Sequence, residues 1–202
     1  LLSIFTANDP LPGATENFYK MLELAQEMIL EASAVYWGKE QTPEERTALY
    51  KKDVEVNKLE RRVRKQIIAH LTGPQESAVT YALLIMSLIK DAERLGDYAK
   101  NLLEVSELHD KELPNDERVG ELEEIRQSVE TLARESRQVF ETSDEERATE
   151  LTIEGRSVAK RCDDLIRRIA AADYEGATAV VLTLGARFYK RIDSHLLNLL
   201  SG

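Results

Sequence analysis

Apolar residues recur along this chain at alternating intervals of three and four, the period of a helix that buries one face. Leu22, Ala25, Ile29, Ala32 and Tyr36 mark a first helix over residues 14–37. Leu49, Val56, Leu59, Val63 and Ile67 mark a second over 43–72, with Thr42 as its cap and Pro43 in its first turn. The third is expected over 75–109 as the longest of the chain, with Tyr81, Ile85, Leu88, Ala92, Leu95, Ala99 and Leu102 as a seam for a neighbouring helix. Gly38 and Pro43 bracket the first connection, and Gly73 and Pro74 make the next corner. A linker over 110–116, carrying Pro114, interrupts the pattern. Helices over 117–140, 143–172 and 174–200 then follow, the middle one capped by Ser143.

The second run of three helices repeats the first. Thr42, Glu44, Glu45 and Arg46 have counterparts in Ser143, Glu145, Glu146 and Arg147, a hydroxyl cap followed by acids at the positive end of the helix dipole. In the third helix of each run Arg94-Leu95 matches Arg191-Ile192, and Asn101-Leu102-Leu103 matches Asn198-Leu199-Leu200 at the same separation. The pattern therefore predicts an all-α fold of two tandem three-helix bundles. An N-terminal extension occupies 1–13, the first repeat 14–110 and the second 117–202. Each unit alone would leave an apolar side bare, so the two should pack together. Gly96 costs ~1 kcal/mol relative to Ala inside a helix, which predicts a close helix approach there together with Ala92 and Ala99.

Composition narrows the function. Hydrophobic residues make up 43% and charged residues 32%, with only 9 Gly and 5 Pro, a mixture suited to long helices and poor in turn chemistry. The net charge of -10 argues against nucleic acid, whose phosphates need clustered Lys and Arg, and favours cations or basic protein surfaces. The single Cys162 excludes an internal disulfide framework and, beside Val158, Leu165 and Ile169, reads as a small core residue. No apolar run is long enough to span a bilayer, and Leu1 to Phe5 offer no basic leader, so a cytoplasmic protein is expected.

Candidate chemistry lies on two rows of oxygen-bearing side chains. Glu93, Asp97 and Asn101 are spaced one helical turn apart at the border of the third-helix seam. Asp53, Asn57 and Glu60 flank the stripe of the second helix. If those helices lie side by side, the rows could converge on a hard or borderline cation such as Mg, Mn, Fe or Zn. The same spacing equally describes a solvated acidic edge whose charges pair with Lys90, Arg94 and Lys100. His70, His109 and His195 are scattered and form no Glu-x-x-His pair, which argues against a di-iron carboxylate site. There is no glycine-rich phosphate loop, nucleophile elbow or CxxC pair, and Ser77 and Ser194 lack a neighbouring base. Tyr36 and Trp37 read as packing residues. An enzyme is not expected; a metal-dependent hydrolase built on Glu93 and Asp97 would still need a base.

Residues Glu93, Arg94, Leu95, Gly96, Asp97, Tyr98, Ala99, Asn101 and Leu102 resemble the signature helix of the PhoU family, and 186–199 resemble a worn second copy. The resemblance extends over about 18–200. It implies a six-helix PhoU-like fold with spectrin-repeat-like packing, often dimeric. It also implies a regulator of phosphate uptake and phosphate-starvation signalling that binds a phosphate transporter ATPase or permease and a sensor histidine kinase, meeting the membrane only through them. An alternative is the cytosolic domain or accessory subunit of a sodium–phosphate cotransporter. Some family members bind metal through Glu/Asp-x-x-x-Asp motifs; here Glu93 and Asp97 keep one, whereas Asp53 and Asn57 keep it with an amide in place of one carboxylate. In the second copy Lys190 and Ser194 stand at the positions of Glu93 and Asp97, so no second metal site is expected.

Overall fold

A computed structural model describes residues 9–72, 78–108 and 112–201. Among the described residues the chain forms α1 (Pro12–Tyr36), α2 (Pro43–Leu71), α3 (Val79–Val105), a 3₁₀ turn (Ser106–Leu108), α4 (Glu117–Thr142), α5 (Glu145–Ala170) and α6 (Gly176–Ser201). The extension up to Asn8, the Gly73–Pro74 corner, Ser77, His109 and Asp110 lie outside the described residues. Helices α1, α2 and α3 pack on one another, as do α4, α5 and α6. The two trios meet mainly along α3 and α6, with a smaller contact between α1 and α4. The apolar stripes of all six helices merge into one continuous core.

Each stripe read from the sequence is buried, including all seven seam residues of α3. The helix ends differ from expectation in three places. Among the described residues the longest helix is α2, at 29 residues against 27 for α3. Helix α3 stops early because Ser106 donates its hydroxyl to the Leu103 carbonyl at 2.6 Å and the backbone tightens into the 3₁₀ turn. At the fourth helix boundary Ser143 is not the cap of α5. It takes the left-handed conformation (φ 53°) that ends α4, and the cap role passes to Asp144, whose Oδ1 accepts from the Arg147 amide at 2.9 Å.

Thr42 caps α2 as expected, by a reciprocal box. Its hydroxyl accepts from the Glu45 amide at 3.2 Å while Glu45 accepts from the Thr42 amide at 2.8 Å. Asp116, read as linker, caps α4 by accepting from the Arg118 and Val119 amides at 2.9 and 3.0 Å.

The joint between the trios is polar as well as apolar. Tyr189 of α6 is fully buried and shares its hydroxyl with Ser33 (2.8 Å) and the Trp37 indole N–H (3.1 Å) of the α1 end. Ser33 in turn donates to Glu130 of α4 at 2.7 Å. Tyr36 donates to the Val181 carbonyl at 3.1 Å, so Tyr36 and Trp37 are packing residues with satisfied polar tips. Tyr36 needs Gly185: a Cβ there would sit 2.5 Å from its ring carbon Cζ. At Gly96, by contrast, a Cβ would be in ordinary contact with Met28 and Val56, at 3.7 Å or more. The close approach expected at Gly96 is instead made at Gly185 and at Gly155, where a Cβ would lie 3.1 Å from Asp193 Oδ1.

Candidate functional site

The two oxygen-bearing rows lie on neighbouring helices, α2 and α3, and meet through a cation of the chain itself. Lys100 of α3 places its ammonium 3.1 Å from Asp53 Oδ2 on α2 and 3.7 Å from Asp97 Oδ1 on its own helix. Burial disfavours the charge of Lys100. The hydrogen bond to Asp53 and the fields of Asp53, Asp97 and Glu104 outweigh that cost and raise its pKa above the ordinary lysine value.

The other carboxylates are held in the same way. Lys90 donates to Glu93 at 2.7 Å, and Arg94 reaches Asp97 at 3.0 Å and Glu93 at 3.8 Å. Glu60 receives both Nε and Nη2 of Arg64 at 3.0 and 2.9 Å, and the same guanidinium touches the Met86 sulfur of α3 at 3.7 Å. Asn57 turns back to its own helix, donating to the Asp53 carbonyl at 3.0 Å. Asn101 is half-buried on α3, one turn beyond Asp97. The structure thus links Asp53 with Asp97 through Lys100, and Glu93 with Asp97 through Arg94. It gives Glu60 a separate partner and draws neither amide to the carboxylates.

This donor set does not suit a metal ion as it stands. Among the described residues no three His, Cys, Asp or Glu side chains are grouped so as to hold one. A cation centre needs several free oxygens aimed at one point, whereas here positive side chains occupy the spaces between them.

In the second trio, Lys190 of α6 grips both oxygens of Asp163 on α5 at 2.6 Å. This bond, ahead of the cost of desolvation, depresses the Asp163 pKa below the usual carboxylate range. Ser194 donates to the Lys190 carbonyl at 2.8 Å. Asp193 stands one position before it, which rotates it about 100° around the helix. It is therefore fully buried, and neither oxygen meets a hydrogen-bond partner among the described residues. Burial pushes its pKa up to about 7. The neighbouring Cys162 thiol is buried too, and burial followed by the Asp193 charge pushes it up to about 12, leaving an inert thiol.

One polar cluster went unread in the sequence. His195 of α6 bonds Asp91 of α3 through Nδ1 at 2.6 Å, and Asn198 donates to the same oxygen at 3.0 Å. The imidazole stacks on Tyr98, with ring centres 5.5 Å apart. The repeat offset that pairs Arg94 with Arg191 also pairs Tyr98 with His195, and that offset is the signal that could have found the cluster.

These features define a class: a duplicated three-helix-bundle protein with an ion-paired ridge where the second and third helices of its first unit meet. The PhoU domain model matches residues 18–106. The crystal structure of PhoU from Pseudomonas aeruginosa shares the fold with a TM-score of 0.81, at 18% identity over 94% of this chain and 93% of that one. That of the phosphate transport system regulatory protein PhoU from Streptococcus pneumoniae does so at 0.76, with 14% identity over 94% and 91%. No curated protein sequence matches the chain. Residues 18–106 thus carry the PhoU domain, and the described chain shares its six-helix fold with the two PhoU structures.

Proposed function

We propose that this protein is a non-enzymatic, PhoU-like regulator of phosphate uptake and phosphate-starvation signalling, which works in the cytoplasm by binding a phosphate transporter, its sensor kinase or both. The observation that carries this reading is the extent of the structural match: both trios, and the way they join, follow the fold of a phosphate transport system regulatory protein. A binding role suits the chemistry. The ridge carboxylates are committed to ion pairs, and the His195–Asp91 pair is tucked between α3 and α6 beneath Tyr98, where it braces the joint. No helix among the described residues is long and apolar enough to cross a membrane. Regulation then means stabilising one conformational state of a membrane-bound partner.

Two measurements test the reading. Deleting the gene should raise phosphate uptake and switch on the starvation response in phosphate-rich medium. The purified chain should also bind the cytoplasmic ATPase of the phosphate transporter or the kinase domain. Unchanged uptake and signalling in the deletion strain would overturn the proposal.

A further inference from the structure

The ridge between α2 and α3 is electrically closed. Four carboxylates, Asp53, Glu60, Glu93 and Asp97, face four cations, Lys100, Arg64, Lys90 and Arg94, each pair within 3.1 Å. A divalent ion gains its affinity from uncompensated negative oxygens. To enter here it must first detach an ammonium, then remain beside the guanidinium of Arg94, and unit charges a few ångströms apart repel strongly near a protein surface. Lys100 holds the central place. Its side chain is three-quarters covered, it spans from α3 to α2, and it is the one cation that touches both helices' candidate ligands among the described residues. The second trio uses the same device with different residues, Lys190 of α6 clamping Asp163 of α5. Two units that have drifted apart in sequence both fasten the third helix to the middle one with a lysine ammonium held by carboxylate.

We propose that the Lys100 ammonium is the resident cation of this ridge: it joins α2 to α3 by bridging Asp53 and Asp97, and it keeps divalent metal ions off those carboxylates. The first trio is accordingly metal-independent, and its second-to-third-helix joint is built into the chain. This goes beyond the regulatory reading and stands whatever the partner is.

Calorimetric titration of the whole chain with Mn²⁺ alone, and with Zn²⁺ alone, tests it. The unaltered protein should show no saturable binding up to millimolar ion, and its melting temperature should be the same with Mn²⁺ as with a chelator. Lys100→Met keeps the covering stem and removes the charge; it should tighten Mn²⁺ binding by about tenfold or more. Adding Asp97→Asn should erase that gain, and Lys100→Arg should behave as the unaltered protein does. Lys100→Gln serves as the second uncharged variant, and circular dichroism checks the helical content of each. One equivalent of metal bound by the unaltered protein and lost with Asp53→Asn would overturn the proposal. So would uncharged, folded variants that bind no more tightly, or a metal-dependent rise in the melting temperature of the unaltered chain.

Discussion

The sharpest stability prediction concerns Asp193. Its carboxyl is fully enclosed between α5 and α6, against Gly155, with no hydrogen-bond partner among the described residues for either oxygen. An ionised carboxylate in such a place is costly, so the folded protein keeps the acid protonated to about pH 7, against 3.8 for an ordinary aspartate. The sign follows from proton counts. Between those two values the folded chain holds a proton that the unfolded chain has released, so stability falls as pH rises. The contribution is complete below about pH 4 and entirely lost above about pH 7. Displacing a pKa tenfold in acidity corresponds to about 1.4 kcal/mol, so the whole window amounts to about 4 kcal/mol. Asp193→Asn keeps the shape and removes the titration. Urea denaturation of both proteins from pH 5 to 8.5 should show the Asn variant gaining on the unaltered protein by about 1.4 kcal/mol per pH unit up to pH 7. Its gain since pH 5 should then hold constant at about 3 kcal/mol. Parallel stability curves across that range would refute the reasoning, because they would mean the carboxyl finds solvent or a partner in the folded state.

Other predictions are simpler. Gly96→Ala should raise stability by up to ~1 kcal/mol, since the methyl fits and helix propensity improves, whereas Gly185→Ala should lower it by roughly 1–3 kcal/mol by colliding with Tyr36; thermal melts of the two decide this. Leu88→Ala, in the middle of the α3 seam, should cost roughly 2–5 kcal/mol in urea denaturation. Thr42→Ala removes half of a capping box and should cost ~1 kcal/mol, with faster amide hydrogen exchange confined to the first turn of α2.

What could be read from the sequence divides along physical lines. Periodicity reveals burial, so the stripes of α1, α2 and α3 were legible down to single residues such as Ala99 and Ile67. Composition at a boundary reveals capping only to within a residue: Ser143 and Asp144 are both competent caps, and the left-handed turn that chose between them depends on how α4 ends. Spacing put Glu93 and Asp97 in one row and Asp53 in another, to converge only if α2 and α3 lie side by side. It also named Lys90, Arg94 and Lys100 as the cations beside them, but not that Lys100 reaches Asp53, because that bond crosses two helices whose relative height is a tertiary fact. Asp193 was legible only as a neighbour of Ser194; its fate depends on a one-position shift around α6 and on the missing side chain of Gly155. Gly96 misled, because a glycine in a helix suggests contact without showing where the neighbouring backbone runs.

The stacking of Tyr98 on His195 says something about how the molecule is put together. Equivalent positions of a duplicated unit touch where the axis relating the copies passes between them, and the reciprocal contacts Asp91 with His195 and Phe188 with Tyr98 are those of an approximate twofold axis, as in the self-complementary interface of a homodimer. The joint between α3 and α6 is therefore a dimer interface enclosed within one polypeptide. On such an axis each residue meets its own counterpart: tyrosine stands on one side and histidine on the other, ring against ring.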